Sequence, residues 1–226
     1  MTNVITGAAS STPSPGPGPG PALRWRVEAV RPQDGPVLDG LFARCSAETV
    51  RLRFFGRLRE LPRSYLDAVL AGRPERHDAV IAYPQGPFPP DSPSAYSSCP
   101  APVGLGSLAT EWADGPGAAP YPCPLGELGL LVVDGWQRRG AGAAMLDVLF
   151  DRARARGTRL VSASVLPGRQ ALLGTLGRRL RPVRMSRATD TLTGVYRLDP
   201  AEWTEAGDGG SGHGERGGHG GRGEPG

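Results

Sequence analysis

The segment GLLVVDGWQRRGAGAAML (residues 129–146) joins an apolar run, a turn rich in glycine and arginine, and the start of a helical pattern. The apolar run predicts the end of a buried strand, and Met145 and Leu146 belong to the apolar stripe of the following helix. A helix N-terminus carries unpaired backbone N–H groups and a partial positive charge, and glycine lets an anion approach that backbone closely. The segment therefore predicts a phosphate site at the turn.

The composition divides the chain of 226 residues into three parts. Residues 1–22 are rich in Ser, Pro and Gly and residues 201–226 are rich in Gly, so both tails are predicted to be disordered. Residues 23–200 have the length and apolar content of one domain with a hydrophobic core. Two Pro-rich stretches in this domain, near 84–101 and 113–124, are predicted to be surface loops.

The charge of the chain does not point to nucleic acid. The net charge is +4, and all 26 basic residues are Arg, spread along the chain among 22 acids. We therefore expect no nucleic-acid partner. Nucleic-acid binding through the arginines and the Arg-Gly tail remains a third and weakest hypothesis, after the two functions described below.

The cysteines and the apolar runs indicate the cellular compartment of the protein. Cys45, Cys99 and Cys123 have no metal-ligand spacing, so no metal is expected. An odd cysteine count without a signal-peptide pattern favours a reducing compartment, and no apolar run reaches membrane-spanning length. The sequence predicts a cytoplasmic protein without a membrane partner.

The order of predicted elements indicates a mixed α/β domain. A strand near 23–32 is followed by three short helices, and further strands are predicted at 77–83, 101–110 and 125–133. A long helix near 137–156, a strand at 158–166, a weak helix at 168–180 and a closing hairpin complete the domain. The prediction is a central sheet of about six to seven strands with flanking helices.

Three phosphate-binding motifs compete for the turn. A P-loop requires lysine, which the chain lacks, and a dinucleotide fingerprint requires a third glycine where Met145 stands. QRRGAG (137–142) matches the third motif, the Gln/Arg-x-x-Gly-x-Gly/Ala acyl-CoA signature, and with the element order it resembles the GNAT N-acetyltransferase superfamily. LFARCSAETVRLRFFG (41–56) is similar to the first helices of the bacterial protein-acetyltransferase branch.

The resemblance implies an acyl-CoA fold with acetyl-CoA as co-substrate. Main-chain groups of Leu131, Val132 and Val133 would bind the pantetheine arm and the thioester carbonyl. The pyrophosphate would be held by consecutive residues of the turn, namely Gln137, Arg138, Arg139, Gly140, Ala141, Gly142 and Ala143. The implied acceptor is an amine, on a small molecule or on a protein lysine, and the oligomeric state is left open.

Glu127 is the candidate general base. An alkyl ammonium has a pKa of about 10, so it must lose a proton before it can attack a thioester. Strand alternation puts Glu127 on the same face as Leu131 and Val133, and a carboxylate in the middle of LGELGLLVV is costly to bury. The alternative for Glu127 is a solvent-facing side chain or one paired with an arginine.

The segment after the fifth strand departs from the family pattern. Arg169 stands roughly where many relatives carry Asn, and Thr175 roughly where they carry the Tyr that protonates the leaving thiolate. Arg169 is a hypothetical contact to the 3′-phosphate of CoA. The departure motivates an alternative function, a non-catalytic acyl-CoA-binding sensor. Elsewhere, His77 begins the strand predicted at 77–83 and is expected to have a solvent-exposed loop role rather than to act as a base, and Phe54 and Phe55 are predicted in the core.

Overall fold

The computed structural model describes residues 23–85, 101–111 and 124–198. The two predicted tails and most of the two Pro-rich stretches lie outside these ranges, while Pro84 and Gln85 belong to a strand. The described residues form a seven-stranded mixed sheet with helices against both faces. The predicted fold class is confirmed.

The elements follow the predicted order. Strand β1 (Arg24–Ala29) and a 3-10 turn (Pro32–Asp34) precede the helices α1 (Gly35–Ala43), α2 (Ala47–Phe54) and α3 (Arg63–Leu70). Three strands follow, β2 (His77–Gln85), β3 (Gly104–Glu111) and β4 (Leu125–Val132). A second 3-10 turn (Asp134–Trp136) leads to α4 (Ala141–Ala155), β5 (Leu160–Val165), α5 (Gln170–Gly177), β6 (Arg181–Arg187) and β7 (Leu192–Arg197).

The sheet has the order β1-β2-β3-β4-β5-β7-β6, and β4–β5 is its parallel pair. This pair extends only from Leu125 opposite Leu160 to Leu128 opposite Ala163. Beyond that point, residues 129–132 of β4 remain paired with β3 but have no partner in β5. We call the opening between these residues and 164–165 of β5 the β4–β5 gap.

Each face of the sheet packs on its own hydrophobic core. On the α4 face, Met145, Leu149 and other apolar residues of α4 and α5 cover the even-numbered residues Leu130 and Val132 of the β4 end. On the α1–α3 face, a second core contains Leu131, with Val133 packed against it. This alternation follows from the two-residue period of a strand.

Helix α4 begins at Ala141, four residues later than predicted. Arg138 and Gly140 adopt positive φ angles of 59° and 95°, which a right-handed helix cannot contain. The C-terminus of α4, at Ala155, lies within one residue of the predicted end at 156, and Gly157 follows with a φ of 78°. In the described ranges no helix is both long and apolar enough to cross a lipid bilayer.

A buried ion-pair triad joins β2 to α4. The Asp78 side chain is only 2% exposed, and its carboxylate lies 2.7 Å from an Arg152 nitrogen and 2.6 Å from an Arg156 nitrogen. We expect Asp78→Asn to lower the free energy of unfolding by about 2–4 kcal/mol, because it leaves two partly buried guanidinium groups without a counter-charge. Urea denaturation measures the change.

The matched control is Asp147→Asn. Asp147 also pairs with an arginine, Arg179, at 2.6 Å, but its side chain is 62% exposed. An exposed pair contributes only about 0–1 kcal/mol. Equal losses in the two variants would contradict a structural role for the buried triad.

Candidate active site

The turn before α4 presents backbone donors at the open end of the β4–β5 gap. The Ala144 N–H donates to the Gly140 carbonyl at 3.0 Å, and this is the first hydrogen bond of α4. The N–H groups of residues 141–143 therefore lack intrahelical partners. The exposed side chains of Arg138 and Arg139 add positive charge beside them. This arrangement suits a phosphate group.

Two tryptophans support the turn from beneath. Trp136 is 4% exposed and packs edge-on against Trp25, with 6.0 Å between the ring centroids. A Cβ atom on Gly140 would lie 3.2 Å from Nε1 of Trp25. The guanidinium of Arg139 lies 5.6 Å from the Trp136 ring centroid. Both the close approach and the positive φ require glycine at position 140.

Asp134 joins the turn to the N-terminus of α2. Its carboxylate accepts hydrogen bonds from the Ser46 N–H at 2.8 Å, the Ser46 hydroxyl at 2.7 Å and the Thr49 hydroxyl at 2.8 Å. Burial acts to raise the pKa of Asp134, but these hydrogen bonds outweigh it and lower the pKa below its ordinary value. The negative charge is therefore held in place at the start of α2, where the helix dipole also favours it.

The side chain of Gln137 also takes part in this junction. Its Nε2 donates to the Thr49 hydroxyl at 2.9 Å and to the Val132 carbonyl at 3.0 Å. Gln137 thus connects the end of β4, the turn and α2.

The main chain of β4 alternates between the gap and β3. The Val133 N–H donates to the Val103 carbonyl at 2.9 Å, so it points to the β3 side. Because neighbouring residues of an antiparallel strand point their N–H and C=O groups in opposite directions, those of Leu130 and Val132 face the gap. Of the three predicted pantetheine contacts, Val132 directs its main chain to the gap, whereas Leu131 and Val133 direct theirs to β3.

Glu127 lies beside the closed end of the gap. It is opposite Ala109 of β3 and Ser162 of β5, one residue before the last β4–β5 pair. Its side chain is exposed and shares the α1–α3 face with Leu131. None of the ion pairs among the described side chains involves Glu127. The carboxylate is therefore accessible from the face opposite α4.

A polar cluster that the sequence did not predict lies on the same face. Nη2 of Arg53 donates to the Ser107 hydroxyl at 3.2 Å, and the Tyr65 hydroxyl donates to the same oxygen at 3.2 Å. The Arg53 guanidinium lies directly on Gly129, where any Cβ atom would overlap it. We call Arg53, Tyr65, His77 and Ser107 the cleft cluster.

Aromatic rings complete the surroundings of the guanidinium. Cζ of Arg53 lies 4.7 Å from the Phe54 ring centroid and 5.4 Å from that of Tyr65, and Tyr65 packs edge-on against His77 at 5.3 Å. Burial lowers the pKa of His77, and the positive charge of Arg53 lowers it further. His77 is therefore neutral at pH 7.

The environment of His77 and Phe55 corrects two predictions. His77 begins β2, as predicted, but it is half-buried rather than solvent-exposed, and its Nε2 is buried without a hydrogen-bond partner among the described atoms. Phe55 is 42% exposed and ends α2 in the left-handed conformation with φ 57°, so it is not a core residue. Phe54 does pack against the core, as predicted.

Two features of the sequence could have indicated the cleft cluster. Gly129 interrupts the apolar run of β4, and glycine inside a strand often marks the close approach of another group. Ser107 is a polar residue in the middle of the apolar strand β3, where it is 2% exposed and needs a partner. Neither feature identifies Arg53, which comes from a distant helix.

The α5 segment offers no free hydroxyl in place of the missing tyrosine. The Thr175 hydroxyl is exposed and donates to the Ala171 carbonyl of its own helix at 3.0 Å. The buried Tyr196 hydroxyl donates to the Leu173 carbonyl at 2.9 Å. Arg169 is exposed and precedes α5. Across the described ranges, no three His, Cys, Asp or Glu side chains are grouped so that they could hold a metal ion.

Solved structures share this architecture. The GNAT domain of the S. lividans protein PAT superposes with a TM-score of 0.60 at 20% identity, over 78% of this chain and 94% of that one. The putative acetyltransferase yncA of Salmonella typhimurium, solved with acetyl-CoA, gives 0.53 at 16% identity over 82% and 99%. Arabidopsis thaliana NAA60 in complex with acetyl-CoA gives 0.53 at 14% identity over 77% and 97%.

These likenesses establish the fold, which is the one that the resemblance in the sequence implies. The chain has the GNAT fold. No protein-family model matches the sequence, and no curated protein matches it.

The Asp134 junction yields a test of stability against pH. We expect Asp134→Asn to lower the free energy of unfolding by about 1 kcal/mol at pH 7, since it removes hydrogen bonds to a charged but exposed acceptor. Because the folded-state pKa of Asp134 is lowered, its contribution is complete above the ordinary value of 3.8 and is lost as pH falls through the folded value. Urea denaturation between pH 7 and pH 3 should show the difference from the wild type shrinking in acid.

Asp39→Asn, an exposed residue of α1, is the control and should leave stability unchanged at every pH. A difference between Asp134→Asn and the wild type that grows in acid would contradict the assigned role of Asp134.

Proposed function

We propose that the protein is an acetyl-CoA-dependent N-acetyltransferase that transfers the acetyl group directly to an amine. One observation carries the proposal: the pairing of β4 with β5 stops after Leu128, on the side of the sheet where the glycine turn opens α4. A gap between two strands accepts an extended chain, and the turn accepts a phosphate. The GNAT fold supports acyl-CoA as the molecule that combines both features.

The cofactor would bind along the gap and the turn. The free N–H groups of Ala141, Gly142 and Ala143 would hold the pyrophosphate, with charge from Arg138 and Arg139. The pantetheine arm would form hydrogen bonds with the main chain of Val132 and of Leu130, whose polar groups face the gap. Leu131 and Val133 would line the opposite face, close to the thioester.

Glu127 is proposed as the general base. An ammonium reaching the gap from the α1–α3 face would first give a proton to the Glu127 carboxylate. The lone pair of the neutral nitrogen would then form a bond to the thioester carbonyl carbon, and the second N–H proton would be lost as the amide forms. A β4 N–H facing the gap would stabilise the developing oxyanion. The C–S bond then breaks, and the CoA thiolate leaves and takes its proton from water, because a thiol with a pKa near 8.5 is a competent leaving group.

The state of Cys45, the cysteine within the described ranges, supports direct transfer over an acyl intermediate on this residue. Burial, with a further contribution from the charge of Asp134, raises the pKa of the Cys45 thiol to about 11. The thiol therefore stays protonated at neutral pH and is a poor nucleophile.

The proposed acceptor is an amine, either on a small molecule or on a protein lysine. The second candidate function is a sensor that binds acyl-CoA without turnover. This alternative is favoured by Thr175, which stands roughly where relatives carry the tyrosine that protonates the leaving thiolate. The Thr175 hydroxyl is exposed and donates to the Ala171 carbonyl of its own helix.

The phosphate turn is tested by Gly142→Glu. A carboxylate in the first turn of α4 interacts favourably with the helix dipole, so the thermal stability of the variant should equal or exceed that of the wild type. The same carboxylate would repel the pyrophosphate, so we expect affinity for acetyl-CoA to fall by more than about tenfold in isothermal titration. A Cβ atom at this position would meet only Leu130 at 3.8 Å, so steric damage is small.

Gly40→Glu is the control, because a Cβ atom there contacts nothing within 4 Å and Gly40 belongs to α1, not to the turn. Its affinity should equal that of the wild type. Wild-type affinity in Gly142→Glu would refute the phosphate turn.

Glu127→Gln tests the chemistry. Removal of a general base should lower kcat by about 10²–10⁴-fold, measured as the release of free CoA thiol in the presence of a panel of amines. The affinity for acetyl-CoA, measured by isothermal titration, should stay unchanged. Glu75→Gln, an exposed acid before β2, is the control and should retain full activity. Wild-type rates in Glu127→Gln would remove Glu127 from the mechanism, and binding without transfer in the wild type would favour the sensor.

A further inference from the structure

We propose that Arg53 binds the carboxylate of the acceptor, so that the substrate of this site is a small amino acid with its amine only a few atoms from a free carboxylate. The inference rests on the proposed function and adds the substrate class. It starts from the position of the guanidinium, which lies on Gly129 at the point where β4 separates from β5.

The charge of Arg53 lacks a counter-charge among the described side chains. None of their ion pairs involves Arg53, whose one hydrogen bond goes to the neutral Ser107 hydroxyl at 3.2 Å. By contrast Arg51, two residues earlier on α2, pairs with Glu48 at 2.8 Å. A half-buried guanidinium with free N–H donors is stabilised by a bound anion. A carboxylate fits best, because its two oxygens can accept two parallel N–H hydrogen bonds from the planar group.

The cleft cluster holds the guanidinium in one orientation. The Phe54 and Tyr65 rings lie within 4.7 Å and 5.4 Å of its Cζ atom, and the Tyr65 hydroxyl fixes the Ser107 oxygen to which it donates. His77 adds no positive charge at pH 7, because burial and Arg53 itself lower its pKa. The free edge of the guanidinium is thus pre-oriented for a single anionic group.

The spacing between Arg53 and Glu127 sets the size of the acceptor. Gly129 and Glu127 are two residues apart on one face of β4, so their Cα atoms are separated by about 7 Å. A molecule that contacts the Glu127 carboxylate with its amine and Arg53 with its carboxylate must carry the two groups close together. Amino acids have this geometry, whereas a lysine side chain within a protein does not place a free carboxylate beside its amine.

The test uses product analogues and does not require turnover. The full-length protein loaded with CoA is titrated with the N-acetyl forms of the common amino acids, each compared with its carboxamide. We expect at least one acid to bind more than about tenfold tighter than its amide. The preference should disappear in Arg53→Gln, weaken in Arg53→Lys, which keeps the charge but not the planar fork, and persist in Arg51→Gln.

Each other outcome has a definite meaning. Equal binding of acids and amides, no binding of any acid to the CoA-loaded protein, or a preference that survives in Arg53→Gln would overturn the proposal while leaving the acetyltransferase proposal intact. Failure of CoA itself to bind the wild type would overturn both. Unchanged CoA affinity in Arg53→Gln verifies that this variant is folded.

Discussion

The end of hydrogen bonding between β4 and β5 after Leu128 and Ala163 is the constraint on which the site depends. Beyond these residues β4 stays paired with β3 on one side, and the main-chain groups of Leu130 and the N–H of Val132 face the gap on the other, while the Val132 carbonyl accepts from Gln137. Both strands run in the same direction, so their carboxyl ends open at one edge of the sheet, where α4 also begins. The β4–β5 gap and the turn before α4 therefore form one continuous surface, on which an extended ligand arm and its phosphates can bind.

Helix α2 connects the two halves of this surface. Its first turn holds Asp134 through Ser46 and Thr49, and its last turn places Arg53 on Gly129. Thr49 and Arg53 are four residues apart and so lie on the same side of the helix. The phosphate turn and the cleft cluster are consequently positioned by one short rigid element, and a shift of α2 would move both together.

Local signals in the sequence were sufficient for most elements but not for the turn. Ser46 caps α2 and Gly157 follows α4, and both are local signals, because capping depends on neighbouring residues. The predicted start of α4 was wrong because Arg138 takes a positive φ, which side-chain identity rarely indicates for a non-glycine residue. The burial of His77 was not predicted because it involves contact with Tyr65, twelve positions earlier in the chain.

The sequence by itself determined the fold class, the order of strands and helices, and the glycine turn at the start of α4, since periodicity and turn chemistry act over a few residues. The tertiary structure alone decided where β4 leaves β5, which main-chain groups face the gap, and that Arg53 meets Ser107 across 54 positions of sequence. Such contacts depend on strand register and helix packing, which arise only when distant segments bury their apolar faces against each other.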